Sequence, residues 1–124
     1  MNHFVIVFLG GGIGAALRHG VNRLALAWFG PSFPVGTLLV NVAGSLAMGL
    51  LIGAFAAFGP VSNNARLFLA TGILGGFTTF SAFSLDTLTL WERGEIGLAV
   101  AYVAASVLLS LAAVGVGFLI SRNF

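Results

Sequence analysis

The chain has 124 residues, 59% of them hydrophobic and only 6% charged, where an ordinary soluble domain carries roughly a quarter charged residues. With no cysteine there is no disulfide, thiolate nucleophile or thiolate metal site. The basic residues, all arginine, are scattered with no basic run, so the pI of about 10.6 leaves no nucleic-acid footprint. A mean hydropathy of +1.11 then implies an all-α integral membrane protein whose function is carried out inside the bilayer.

A spanning helix needs about 20 apolar residues, and the hydrophobicity divides into four stretches, about 5–29, 34–58, 67–90 and 96–120, in one domain over 1–124. The connections are short and carry breakers: Gly30-Pro31-Ser32-Phe33-Pro34, Gly59-Pro60-Val61-Ser62-Asn63-Asn64 and Glu92-Arg93-Gly94-Glu95. Trp28 and Trp91 stand where interfacial anchors belong. The first stretch lacks a basic leader and a cleavage site, and reads as a retained span.

In that first span residues 4–17 reach only about 21 Å, short of a hydrocarbon core of about 30 Å. Arg18, followed by His19, therefore lies at one interface or within the bundle. It is either a snorkelling interfacial residue or part of an electropositive vestibule that concentrates an anion. In the second span Asn41, Ser45, Gly49 and Gly53 recur at steps of four, giving one polar or small face. Asn41 is either a hydrogen-bonding link between helices or a free NH₂ donor facing a crevice. Gly10 and Gly14, with Gly49 and Gly53, are small-xxx-small pairs of the kind that pack helices closely, and they predict a tight oligomer.

The third span holds Gly75-Gly76-Phe77-Thr78-Thr79-Phe80-Ser81-Ala82-Phe83-Ser84. Lipid offers no partner to hydroxyls or to loosened backbone, and this run predicts a helix broken near Gly75–Thr79. Phe80 and Phe83 share a face, with Ser81 and Ser84 beside them. They are core packing, or rings whose electropositive edges meet an anion. In the fourth span Tyr102, Ser106 and Ser110 line up at steps of four, as helix glue or as a hydroxyl track that replaces a hydration shell.

No lysine or carboxylate occupies a midplane position, and weak neutral donors at several sites suit a small anion that must also be released. The other candidate class is a proton-coupled exporter of hydrophobic cations, which would need a membrane-embedded carboxylate; Asp86, near the end of the third span, is the one available. An intramembrane enzyme finds no convergent constellation, since His3 and His19 lie toward the edges.

Counting arginines by side gives Arg66 and Arg122 against Arg23 and Arg93, with Arg18 a possible third. The positive-inside rule finds no decisive bias. A chain able to insert both ways can form an antiparallel homodimer, eight helices about a two-fold axis in the membrane plane; a parallel oligomer of fixed topology is the alternative.

Gly11-Gly12-Ile13-Gly14-Ala15-Ala16-Leu17-Arg18, Gly36-Thr37-Leu38-Leu39-Val40-Asn41-Val42-Ala43-Gly44-Ser45 and the Gly75 to Ser84 run together resemble the signature segments of the CrcB/Fluc fluoride channels. The resemblance implies a passive, non-enzymatic fluoride channel in a bacterial inner (plasma) membrane, built as a dual-topology antiparallel homodimer with two pores and conferring fluoride resistance. By position it implies that Asn41 hydrogen-bonds the ion and that Phe80 and Phe83 line the pore, with Thr79 and Ser81 beside them. Tyr102, Ser106 and Ser110 would form the polar track, and Arg18 would stand near the vestibule. It also implies a structural Na⁺ at the dimer centre, held by the backbone carbonyls of Gly75 and Thr78 from both subunits.

Overall fold

Helix ends need partners for backbone groups that the helix itself leaves unpaired, and most ends of this chain find them locally. A computed structural model describes residues 2–123. Helix α1, His3–Phe29, starts at Asn2, whose side chain accepts from Phe4 N–H at 2.7 Å. It stops at Gly30, where φ is +75° and the N–H returns to Leu26 C=O, a positive φ that favours glycine. Helix α2, Val35–Phe58, begins directly after Pro34 and ends at Gly59, with φ +90°.

The third span is composite. The short helix α3, Asn63–Arg66, is capped by Ser62 Oγ accepting from Ala65 N–H at 3.1 Å, and runs on into a π-helical stretch, Leu67–Leu74. A last turn, α4, Gly75–Phe77, ends where Thr78 and Thr79 turn extended; helix α5, Phe80–Glu92, then resumes. The sequence places a break near Gly75–Thr79, and the interruption falls within that range, on the two threonines, while the two glycines before them stay helical. The π-helical stretch has no forewarning in the sequence. Helix α6, Ile96–Arg122, completes the bundle. Four helical units, with Asn63–Glu92 taken as one, are each long and apolar enough to cross a membrane.

Two helix pairs carry most of the packing, α1 against the third span and α2 against α6. Both meet backbone to backbone. A methyl group on Gly10 would stand 2.7 Å from Phe68 C=O and 2.9 Å from Gly72 Cα, and one on Gly76 would stand 3.0 Å from Gly11 Cα. On the other pair, a methyl on Gly49 would be 2.9 Å from Phe118 N, and one on Gly117 would be 2.8 Å from Leu50 N. The small-xxx-small pairs read as signs of an oligomer are thus used within the chain, drawing its own helices together. Large apolar side chains such as Phe4, Phe8 and Trp28 face outward, as expected where lipid takes the place of a core. Among the described residues a cluster of buried apolar side chains is formed by Leu90, Ala99 and Tyr102, flanked by Phe33, Leu38 and Phe83.

Because the α2–α6 contact leaves no room for a side chain, Gly49→Val is expected to cost about 1–3 kcal/mol in overpacking. Gly97→Val, at a position with nothing within 4 Å, should be near neutral. Thermal unfolding of the two variants in detergent checks the contrast.

Candidate functional site

The interruption at Thr78 and Thr79 frees backbone groups at membrane depth, and a side chain from a neighbouring helix takes them up. Asn41 on α2 accepts from Thr79 N–H through Oδ1 at 2.8 Å and donates through Nδ2 to Thr79 C=O at 3.0 Å. The pair closes a ring of two hydrogen bonds, using the amide as donor and acceptor together. The free NH₂ expected from the sequence is therefore half committed, and one of its two hydrogens remains. Thr79 Oγ1 caps α5 by accepting from Ala82 N–H at 3.1 Å and lies 3.3 Å from Ser81 Oγ.

The same diversions expose two carbonyls. In an unbroken helix Gly75 C=O would meet the amide of residue 79 and Thr78 C=O that of residue 82. Here Thr79 N–H goes to Asn41 and Ala82 N–H to the Thr79 hydroxyl. The carbonyls around them are otherwise employed: Leu74 C=O accepts from both Thr78 N–H and Thr78 Oγ1 at 3.1 Å. Gly76 C=O accepts from Arg18 Nε at 3.2 Å. Arg18 thus reaches the C-terminal end of the first half of the third span, where a cation is favoured by the helix dipole. Neither sequence reading of Arg18 contained this contact.

Between α2, the break and α6 lies a cavity of about 460 Å³. Asn41, Gly44, Ser45 and Met48 form its α2 wall, Thr78, Thr79, Phe80 and Phe83 its wall at the break, and Ser106 and Ser110, with Val107, Leu111 and Val114, its α6 wall. Asn41 and Ser45 stay on the expected face, but Gly49 and Gly53 turn to meet α6 instead. Ser106 Oγ and Ser110 Oγ are buried with no hydrogen-bond partner among the described residues. Buried hydroxyls in that condition are costly unless a ligand or water completes them.

Aromatic rings continue the wall. Phe80 and Phe83 stand 5.4 Å apart between centroids, Phe83 and Tyr102 5.4 Å, and Phe33 meets Tyr102 edge-on at 5.6 Å. Phe80 is 77% exposed and Tyr102 fully buried, so the row runs from the outer surface into the bundle. Tyr102 shares the face of Ser106 and Ser110 but is not brought to the cavity lining. Its hydroxyl instead donates to Asp86 Oδ2 at 3.1 Å. Ser81 faces outward, away from the lining. The sequence reading missed Met48, Leu111 and Val114 as the cavity's apolar end, since nothing separates a cavity-lining aliphatic from a lipid-facing one in a uniformly apolar helix.

A family model described as CrcB-like protein, Camphor Resistance (CrcB), matches residues 5–118. The chain belongs to the CrcB family. Among CrcB relatives it is 58% identical over 124 residues to a fluoride-specific ion channel FluC of Paracoccus denitrificans, covering 99% of this chain and 98% of that one. It is 55% identical over 124 residues to the protein of that name from Methylobacterium nodulans, covering 100% and 99% of the two chains. The FluC 2 protein of Nitrobacter hamburgensis is 50% identical over 121 residues, 98% of each chain. These names describe ion channels and no enzyme. The bilayer is the setting in which this CrcB chain's broken helix and unpartnered hydroxyls must be understood, for it is an integral multi-pass membrane protein.

Truncating Asn41 to Ala would orphan the Thr79 N–H, at about 1–3 kcal/mol for an unsatisfied buried group, and would leave Thr79 C=O with only the first bond of α5. Asn41→Ala is therefore expected to melt well below the native protein in detergent, and Asn41→Asp, which keeps the acceptor alone, to recover only part of the loss.

Proposed function

We propose that this chain is a fluoride-selective channel that lets the anion leave the cytoplasm passively, so conferring fluoride resistance. The observation that supports the reading best is the pair of buried hydroxyls with no partner among the described residues, on Ser106 and Ser110, two residues that line a cavity together with Asn41 and Phe83. Two further lines support it: relatives named fluoride-specific ion channels match over the whole chain length, and every polar side chain on the lining is neutral.

A hard, small anion must exchange its water shell for donors, and the lining supplies them without a fixed charge. The Ser106 and Ser110 hydroxyls and the remaining Asn41 hydrogen offer neutral hydrogen bonds, and the edges of Phe80 and Phe83 offer weaker positive potential. Weak sites in sequence admit the ion and release it, which a lysine or arginine in the path would hinder. Thr79 acts by holding the break open in its paired geometry, with Ser81 on its hydroxyl. Tyr102 sets the inner end of the aromatic row, and Arg18 holds a cationic charge near the break without entering the cavity. The driving force is the membrane potential, about 2.3 kcal/mol per charge per 100 mV. Hydrogen fluoride enters uncharged and dissociates inside, so an anion path alone is sufficient for clearance.

The working assembly in this reading is an antiparallel dual-topology homodimer with two pores in a bacterial inner membrane. The flat arginine count supports insertion both ways, and a second copy would cover Phe80 and the open side of the cavity. A structural Na⁺ between the copies fits the two carbonyls whose helical amides are diverted, Gly75 and Thr78. Hard carbonyl oxygens from both copies suit such a cation. When bound, it would neutralise the dipoles of those carbonyls and tie the two breaks together.

Fluoride efflux from liposomes carrying the purified protein, with valinomycin supplying the compensating K⁺ current, tests the proposal. Fast fluoride release with chloride retained is expected; equal release of both, or none from folded protein, would overturn it. Phe83→Ile should slow release by roughly tenfold or more, as if about 1.4 kcal/mol of stabilisation along the path were lost. Asp86→Asn keeps an acceptor for Tyr102 and should still conduct. Loss of transport in that variant alone would favour a proton-coupled exporter.

A further inference from the structure

The charges of this chain are unequally placed between its two ends. The α2 to α3 connection and the last turn of α6 lie at one end, with Arg66 and Arg122, and no carboxylate side chain stands there. Glu92 and Glu95 lie at the other end, in the α5 to α6 connection, and Asp86 is in the half of the third span that leads to it. Arg93 at that end is engaged with the neighbouring loop, donating to Pro31 C=O at 3.4 Å.

At the carboxylate-free end a second cavity of about 410 Å³ runs between the last turns of α2 and the start of the third span. Its floor is apolar, made by Ile52, Phe55, Ala56 and Val61, and its one charged member is Arg66. The Arg66 guanidinium lies 5.2 Å from the centre of the Phe55 ring, which holds it over the groove. An apolar groove at the end of a membrane span, rimmed by one cation and facing no side-chain carboxylate, matches a lipid in outline: acyl chain below, phosphate at the rim.

We propose that this groove binds one anionic phospholipid, with its phosphate on Arg66 and an acyl chain against Ile52, Phe55 and Ala56. A zwitterionic lipid brings an ammonium group for which the groove's lining offers no side-chain carboxylate, so the groove favours a headgroup with no positive charge. A single interfacial arginine discriminates by roughly fivefold in affinity. The site lies away from the cavity between α2 and α6, and its occupancy does not depend on what that cavity conducts.

The test is native mass spectrometry of the full-length protein released from detergent containing phosphatidylglycerol and phosphatidylcholine with the same acyl chains. Preferential retention of phosphatidylglycerol is expected. Arg66→Gln should lower that retention roughly fivefold, Arg66→Lys should keep most of it, and Arg93→Gln should leave it unchanged. Equal retention of both lipids, or undiminished retention by Arg66→Gln, would overturn the proposal. So would displacement of the lipid by inorganic phosphate, which would make the groove an anion site without a chain. Fluoride efflux measured on the same preparations separates this outcome from failure of the channel reading.

Discussion

A helix interrupted inside lipid must find partners for every backbone group it frees, because hydrocarbon supplies none. In this chain one amide side chain meets the demand where it is sharpest. Asn41 takes the N–H and the C=O of Thr79 together, so α2 is tied to the break at one of the two residues that lie between the half-helices. The rest of the site depends on that pairing: the direction of α5, the presentation of Phe80 and Phe83, and the carbonyls left open at Gly75 and Thr78.

The neighbouring contacts extend the same logic. Leu74 C=O is closed by Thr78 and Gly76 C=O by Arg18, so the end of the first half-helix is bound to α1 as well as to itself. Thr79 then starts α5 with its own hydroxyl. A break that would be ruinous in isolation is held by two flanking helices, and the buried side-chain hydroxyls without partners among the described residues belong to Ser106 and Ser110, which line the cavity.

Much of this was legible in residue order, and what was not has definable causes. Four spans, a break close to Thr79 and a polar Asn41 face follow from hydropathy and from the cost of hydroxyls in lipid. The residues at which the helix is interrupted did not follow: Gly75 and Gly76 are helical, and the small size of Gly76 serves the approach of α1. Likewise Gly10, Gly14, Gly49 and Gly53 signal close packing in either an oligomer or a single bundle, and spacing alone does not distinguish the two. The Tyr102 to Asp86 bond joins residues on α6 and α5, and no periodicity within one helix reveals a partner on another. The π-helical stretch at Leu67–Leu74 is equally silent, because its composition is that of any apolar helix.

The glycine contacts between α2 and α6 have a mechanical consequence for the cavity those two helices enclose. Gly49 and Gly117 bring main chain against main chain beside Met48, about one turn from Ser45 and about two turns from Ser110, all of which line the opening. A spacing set by side chains yields when a rotamer changes; one set by peptide groups in contact has no such soft coordinate. The gap therefore behaves as a rigid gauge; in the channel proposed above, discrimination by ion diameter would rest on the stiffness of two backbones more than on the chemistry of any lining residue.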